Sequence, residues 1–201
     1  MKDKFYSIFG KDSYNALIAI PTVKISTPFE NIKKIKLKYK NIWKILENNS
    51  NLNIIFRCRS LKDNIAFKKI LSIPEKYKKN VFFITHEFNI YELAYFSDVI
   101  IGNDTSSLML ELIGFEKKLI IPYNVRFENK KNLIWYQNNY EYLCDNVSEI
   151  SLLISKYINK LISPSINKIK VEIRDGYSHP FDGKTWQRVS ENMLEDIKHI
   201  Q

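Results

Sequence analysis

Short apolar runs separated by amphipathic stretches dominate the first two thirds of the chain. The run over 16–23, opening Ala-Leu-Ile-Ala-Ile and stopped by Pro21, predicts a buried strand. Over 31–47 the apolar positions Ile32, Ile35, Leu37, Ile42, Trp43, Ile45 and Leu46 alternate with lysines in an imperfect helical period, which predicts an amphipathic helix. Residues 52–56 predict a second strand, and 61–73 a helix closed by Pro74. Strands over 81–84, 98–101 and 118–121 follow, the last stopped by Pro122. Between them lie helices over 89–96 and 105–113, with Gly114 as C-cap of the second. Short buried strands alternating with helices give an α/β fold, a parallel sheet with helices on both faces.

Beyond 147 the pattern loosens. Residues 148–162 predict a helix, 166–173 have no clear reading, and 174–183 form a polar loop with the turn signals Asp175-Gly176 and Asp182-Gly183. A C-terminal helix is expected over 184–200. With no internal repeat and no low-complexity linker, residues 1–201 read as one domain, large enough for a core that needs no staples.

Composition changes this picture little. The 45% hydrophobic and 13% aromatic content argues against long disorder. Cys58 and Cys144 belong to no CxxC pair and read as small buried hydrophobes, and three histidines leave no His-rich metal site. No metal and no cofactor is expected. The net charge of +9 comes from 26 lysines and only 5 arginines spread through the chain, a bias of composition and not a nucleic-acid groove. The densest basic run, 31–44, reads as a solvated helix face, with a membrane- or partner-docking face as the alternative. The first residues, MKDKFYSIFGKD, lack the apolar segment of a signal peptide, and no stretch reaches 18 apolar residues. A cytoplasmic chain is expected, with peripheral contact at the inner membrane face as a variant of that expectation.

Ligands of open parallel sheets bind outside the carboxyl ends of the strands. Three polar clusters fall there: 57–60, 85–89 and 102–107. The sharpest is Gly102-Asn103-Asp104-Thr105-Ser106-Ser107, with Glu111 one helical turn after Ser107. In the functional reading, Gly102 permits a tight turn, and the hydroxyls sit beside the free N–H groups of a helix N-terminus, an anion site. Glu111, on the face of Ser107, can accept from ribose hydroxyls. The structural reading of the same residues is an N-cap at Asp104 or Thr105 followed by a surface carboxylate.

The run 86–124, HEFNIYELAYFSDVIIGNDTSSLMLELIGFEKKLIIPYN, resembles the nucleotide-sugar half of GT-B glycosyltransferases, above all bacterial enzymes of capsule and surface-carbohydrate synthesis. The elements that carry the likeness are the segment 98–101, the turn 104–107, Glu111, Gly114 and Pro122. Related patterns occur in nucleotide-sugar epimerases and in polyol-phosphate transferases. The resemblance implies a Rossmann-like half domain in which Asp104, Thr105, Ser106 and Ser107 hold the donor pyrophosphate and Glu111 binds the ribose. It places His86 near phosphate or the transferred sugar, although a histidine capping the next helix fits position 86 as well. Arg57 and Arg59 stand where such families place a phosphate-binding base, one of the two facing the site. The tail Asp182-Gly183-Lys184 with Arg188 is similar to a D-G-x-x-x-x-R-I segment of surface-carbohydrate proteins. Glu87 and Glu92 read as surface carboxylates, and Tyr123 either stacks on a base or packs in the core.

The implied activity is sugar transfer from a nucleotide-diphosphate- or CMP-linked donor to a glycan or lipid-linked acceptor. The alternatives are 2-epimerisation, polyol-phosphate transfer, or a non-catalytic nucleotide-sugar-binding subunit. A full GT-B enzyme has two such domains, so the resemblance also implies an N-terminal half, on the same chain or in a partner subunit. Nucleic acid is not an expected partner.

Overall fold

The structure is a computed structural model that describes residues 1–19, 39, 41–57, 61–85, 87–103, 109, 112, 119–123 and 140–162. Helix α1 (Lys2–Phe9) precedes strand β1 (Tyr14–Ala19). A first 3-10 helix (Ile42–Glu47) leads to β2 (Leu52–Arg57), α2 (Leu61–Leu71), a second 3-10 helix (Glu75–Asn80) and β3 (Val81–Ile84). Helix α3 (Ile90–Phe96), β4 (Val99–Asn103), β5 (Leu119–Tyr123) and α4 (Val147–Ile158) complete the described elements.

The five strands form one parallel sheet in the order β3-β2-β1-β4-β5. The chain builds outward from β1 to β3, then crosses back to place β4 on the other side of β1. The order reverses between β1 and β4, and at such a switch point the connections leave in opposite directions and open a crevice. The fold is therefore the α/β, Rossmann-like parallel sheet that the alternating pattern predicts.

Alternation along the strands divides the core in two. Ala16, Ile18, Ile54, Phe56, Val99, Ile101, Leu119 and Ile121 face one layer, built from the first 3-10 helix, Tyr39, α2 and α4. Leu17, Ile55, Ile100 and Ile120 face the other, built from α1, Phe88, α3, Met109, Leu112 and Tyr140. With both faces covered, the strands read as near-continuous apolar runs instead of alternating ones. Aromatic rings fill much of each layer: Phe56 stacks on Phe83 at 5.0 Å, and Phe5 meets Phe96 at 5.3 Å.

Several boundaries differ from the sequence expectation, each for a local reason. The helix expected over 31–47 does not run through: a turn at Asn41 interrupts it, and 42–47 wind as a 3-10 helix that buries Ile42, Ile45 and Leu46. Strand β4 continues through Gly102 to Asn103, and β5 through Pro122 to Tyr123. Pro122 is tolerated because β5 is an edge strand: its carbonyl points away from β4, accepting from Cys144 N at 3.0 Å, and the N–H it lacks would have pointed the same way, so no bond to β4 is lost. Helix α2 stops at Leu71, where Ser72 takes a left-handed φ of 44°, and α4 stops at Ile158, two residues before Lys160 at 56°. Helix α1 has no counterpart in the sequence reading. Its core contacts are Phe5 and Phe9, four residues apart, and Gly10 ends it at a φ of 80° with its N–H on Tyr6 O. Residues 20–23 of the expected first strand, 31–38 and 40 of the helix expected over 31–47, the helix expected over 105–113 apart from Met109 and Leu112, and 163–200 lie outside the described residues.

Candidate functional site

The sheet register fixes what meets at the carboxyl edge. Ala19 on β1 lies opposite Arg57 on β2 and opposite Gly102 on β4. Arg57 also lies opposite Ile84 on β3, and Gly102 opposite Pro122 on β5. Arg57 and Gly102 thus end their strands at one level with only β1 between them, a backbone separation of about 10 Å at ordinary strand spacing. Ala19 stands in the middle, at the switch point, and is buried.

Arg57 is half-buried at this edge, as its place at the end of a core strand dictates. Its neighbours before it, Ile54 to Phe56, are wholly interior, and Arg57 is the first charged residue along β2. On β3 the edge is held by a short carboxylate contact. Thr85 N donates to Glu87 Oε2 at 2.9 Å, which ties the chain across position 86. Lys4 on α1 reaches the same turn, its Nζ donating to Glu87 O at 3.1 Å. Glu92 is likewise occupied locally: it closes a capping box with Asn89 at the start of α3, through bonds of 2.8 Å in both directions. Both glutamates therefore serve the backbone, in agreement with their reading as non-catalytic carboxylates.

Gly102 has a different reason to be glycine than a tight turn. It sits inside β4 with no left-handed φ, and a Cβ built there would lie 2.0 Å from Met109 Sδ. Met109 and Leu112 are fully buried in the layer that also holds Ile100 and Ile120. The glycine is needed for close approach: Met109 lies so near the strand end that no side chain fits beneath it.

Tyr123 resolves toward packing. It is 3% exposed, its ring lies edge-on to Tyr39 at 6.0 Å, and burial pushes its hydroxyl up to about 12. A ring so enclosed offers no face to a base. Cys144 is buried beside it, as expected of a small hydrophobe, and its thiol is raised to about 12, chiefly by burial.

Of the residues singled out by sequence, the structure brings Arg57 and Gly102 to one edge of the sheet. His86, Arg59, Asp104, Thr105, Ser106, Ser107 and Glu111, with Cys58 and the tail from Asp182 to Arg188, lie outside the described residues. Strands β3 and β4, which precede 86 and 104–107 in sequence, are described and end at the carboxyl edge. Ala19 was missed, because an alanine carries no chemical signal; only the strand order marks its position. Among the described residues no group of three or more His, Cys, Asp or Glu side chains could hold a metal ion, and no helix is long and apolar enough to cross a membrane.

No protein-family model and no curated protein matches the chain. Solved structures do match its fold. Staphylococcus aureus MnaA with UDP shares 14% identity at a TM-score of 0.55, over 96% of this chain and 48% of that one. The wall teichoic acid polymerase TagF soaked with CDPG shares 16% at 0.58, over 98% and 45%. A Neisseria meningitidis UDP-GlcNAc 2-epimerase bound to UDP-GlcNAc shares 13% at 0.50, over 86% and 46%. The chain thus spans about half the length of each protein it resembles, and has the α/β fold of the matched half.

Proposed function

We propose that the chain is the donor-binding half of an enzyme acting on a nucleotide-activated sugar or polyol, of the epimerase or polyol-phosphate-transferase kind. The observation that carries this reading is that β4, from which the polar run 102–107 continues in sequence, ends at the switch point beside β1, at the level where β2 ends in Arg57. The fold neighbours favour these two kinds over sugar transfer to a surface polysaccharide, since their names are those of 2-epimerases and a teichoic acid polymerase.

In this reading the N–H groups and hydroxyls of Thr105, Ser106 and Ser107 receive the donor diphosphate, with Asp104 shaping the turn. Arg57 neutralises charge on the diphosphate as the bond to the sugar or polyol breaks, help that grows as the leaving group develops its charge. Arg59 serves structure. Glu111 accepts from the ribose hydroxyls, and His86 approaches the phosphate or the transferred group. Proton transfer at the sugar or acceptor needs an acid–base group from a second domain, whether on the same polypeptide or on a partner subunit. The acceptor in the transferase variant is a glycan or a lipid-linked chain.

Calorimetric titration with UDP, CDP, CMP and GDP tests this, repeated on Glu111→Ala. Binding of one nucleotide, weakened about tenfold or more in the variant by loss of hydrogen bonds to a charged group, supports the site and names the base. Donor binding with no turnover, once a complementary half is supplied, would leave a binding subunit. Binding of none of the four removes the proposal.

A further inference from the structure

A second surface lies along the β3 side of the sheet. β3 is the edge strand, and α2 and the second 3-10 helix flank it. On α2 the stripe Asn64, Phe67 and Leu71 is buried, while Leu61 and Ile65, one turn apart, are 61% and 49% exposed. Lys68 continues that outward stripe and Lys69 stands beside it, both exposed. Lys68 Nζ lies 5.2 Å from the ring of Phe83 on β3, which places the end of α2 over the edge strand.

The second 3-10 helix adds Lys76, Lys78 and Lys79, all exposed, immediately before β3. The first adds Lys44, and Trp43 stacks on Tyr77 at 5.4 Å, joining the two 3-10 helices into one surface. Among the described side chains of these elements six lysines face two glutamates, and one of those, Glu75, is already paired with Lys78 at 2.5 Å. Two outward aliphatic side chains, a half-buried Trp–Tyr pair and an excess of lysine make a combination with one natural counterpart.

We propose that this face docks on an anionic phospholipid membrane surface. Lysines near such a surface are attracted by its negative potential, at roughly fivefold in affinity for each. Leu61 and Ile65 enter the headgroup–acyl boundary, and Trp43 with Tyr77 lies at the depth where amphipathic rings prefer to sit. Nucleic acid fits less well: the face carries lysine without arginine, the exposed apolar groups are aliphatic, and its aromatic pair is stacked on itself. The inference uses none of the residues assigned to the donor site.

Sedimentation of the full chain with extruded vesicles tests it. Vesicles of phosphatidylcholine with about one third phosphatidylglycerol should pull the chain down at low salt, and pure phosphatidylcholine vesicles should not, because the attraction is electrostatic. Lys69→Glu with Lys79→Glu replaces two exposed lysines and should weaken binding at least about 25-fold. Leu61→Ser with Ile65→Ser should weaken it while leaving its salt dependence intact. Circular dichroism and the melting temperature verify that both variants fold. The proposal is overturned if anionic vesicles fail to sediment the wild-type chain, or if folded Lys69→Glu/Lys79→Glu binds them unchanged. It is equally overturned if a short single-stranded RNA competes the chain off the vesicles through the same lysines and binds the Leu61→Ser/Ile65→Ser variant with full affinity.

Discussion

Asn15 and Asn53 occupy one register position on adjacent parallel strands, and Asn53 Nδ2 donates to Asn15 Oδ1 at 3.1 Å. The pair is the centre of a polar ladder across the amino edge of the sheet. Asn80, just before β3, donates to Asn53 Oδ1 at 3.3 Å. On the other side Asn15 N donates to Asp98 Oδ2 at 2.8 Å, just before β4. Asn53 also donates to Phe9 O at 2.5 Å, which fastens the end of α1 to the sheet. Both asparagines are nearly fully buried, so each partner bond replaces one that water would make.

Asn53→Ala should therefore destabilise the fold by about 2–4 kcal/mol, because it leaves the buried Asn15 side chain and the Phe9 carbonyl short of a partner and takes one of two acceptors from Asn80. Urea denaturation measures this, and a double-mutant cycle with Asn15→Ala should show coupling of about 1 kcal/mol. A cost below about 0.5 kcal/mol for Asn53→Ala would mean that water substitutes for the ladder.

Gly102 and Met109 make a second testable pair. Gly102→Ala should cost about 1–3 kcal/mol, since the new methyl cannot coexist with the Met109 thioether in its present place. Met109→Ala opens a cavity and costs about 2–4 kcal/mol by itself. The double variant should be more stable than the sum of the two losses, by about 1 kcal/mol or more, as the methyl fills part of that space. Thermal melts of the four proteins decide it; strict additivity would mean that the clash is relieved elsewhere.

These two relationships mark the limit of what the sequence discloses. All five strands were legible because each is a compact apolar run bounded by Pro, Gly or Asn, and a parallel sheet needs such runs. The asparagines at the strand starts carried no signal, since a buried asparagine and a turn asparagine look alike until the register aligns Asn15 with Asn53. Helix α1 escaped because its inward face is only Phe5 and Phe9, too short a period to stand out. The helix expected over 31–47 failed at Asn41 because lysine-spaced isoleucines suit several windings, and packing against α4 selected the 3-10 form. Arg57 and Gly102 were placed at strand ends from the apolar runs before them, and they stand there. The reason for Gly102 was not legible, because it depends on a residue seven positions later.

Cys144 should be inert in the folded chain. Burial raises its thiol from about 9 to about 12, so at pH 8 the thiolate is scarcer by roughly a thousandfold than for an ordinary cysteine. Iodoacetamide at pH 8 followed by peptide mapping should label Cys144 only after denaturation. The same shift has a stability consequence. The folded state holds the proton more tightly, so the contribution is whole below about pH 9 and is lost as pH rises toward about 12. Tyr123, raised from 10.0 to about 12, acts in the same direction. Urea midpoints should therefore fall between pH 9 and 12, and Cys144→Ala should remove part of that slope.

Arg57 separates a phosphate-binding role from a structural one. It ends β2 at the level of Gly102, with Ala19 of β1 between them. A charged hydrogen bond from this group to a donor diphosphate contributes about 1.5–3 kcal/mol, or roughly 10- to 100-fold in affinity. Arg57→Ala should therefore weaken the nucleoside diphosphate that binds the wild-type chain by that factor and leave the matching nucleoside almost unaffected. Arg57→Lys should recover only part of the loss, because an ammonium offers no fork to two phosphate oxygens. Salt supplies the independent check: if Arg57 meets phosphate, the affinity of the wild type should fall with ionic strength more steeply than that of Arg57→Ala. Equal weakening of diphosphate and nucleoside, with a lowered melting temperature, would instead assign Arg57 to holding the strand ends together.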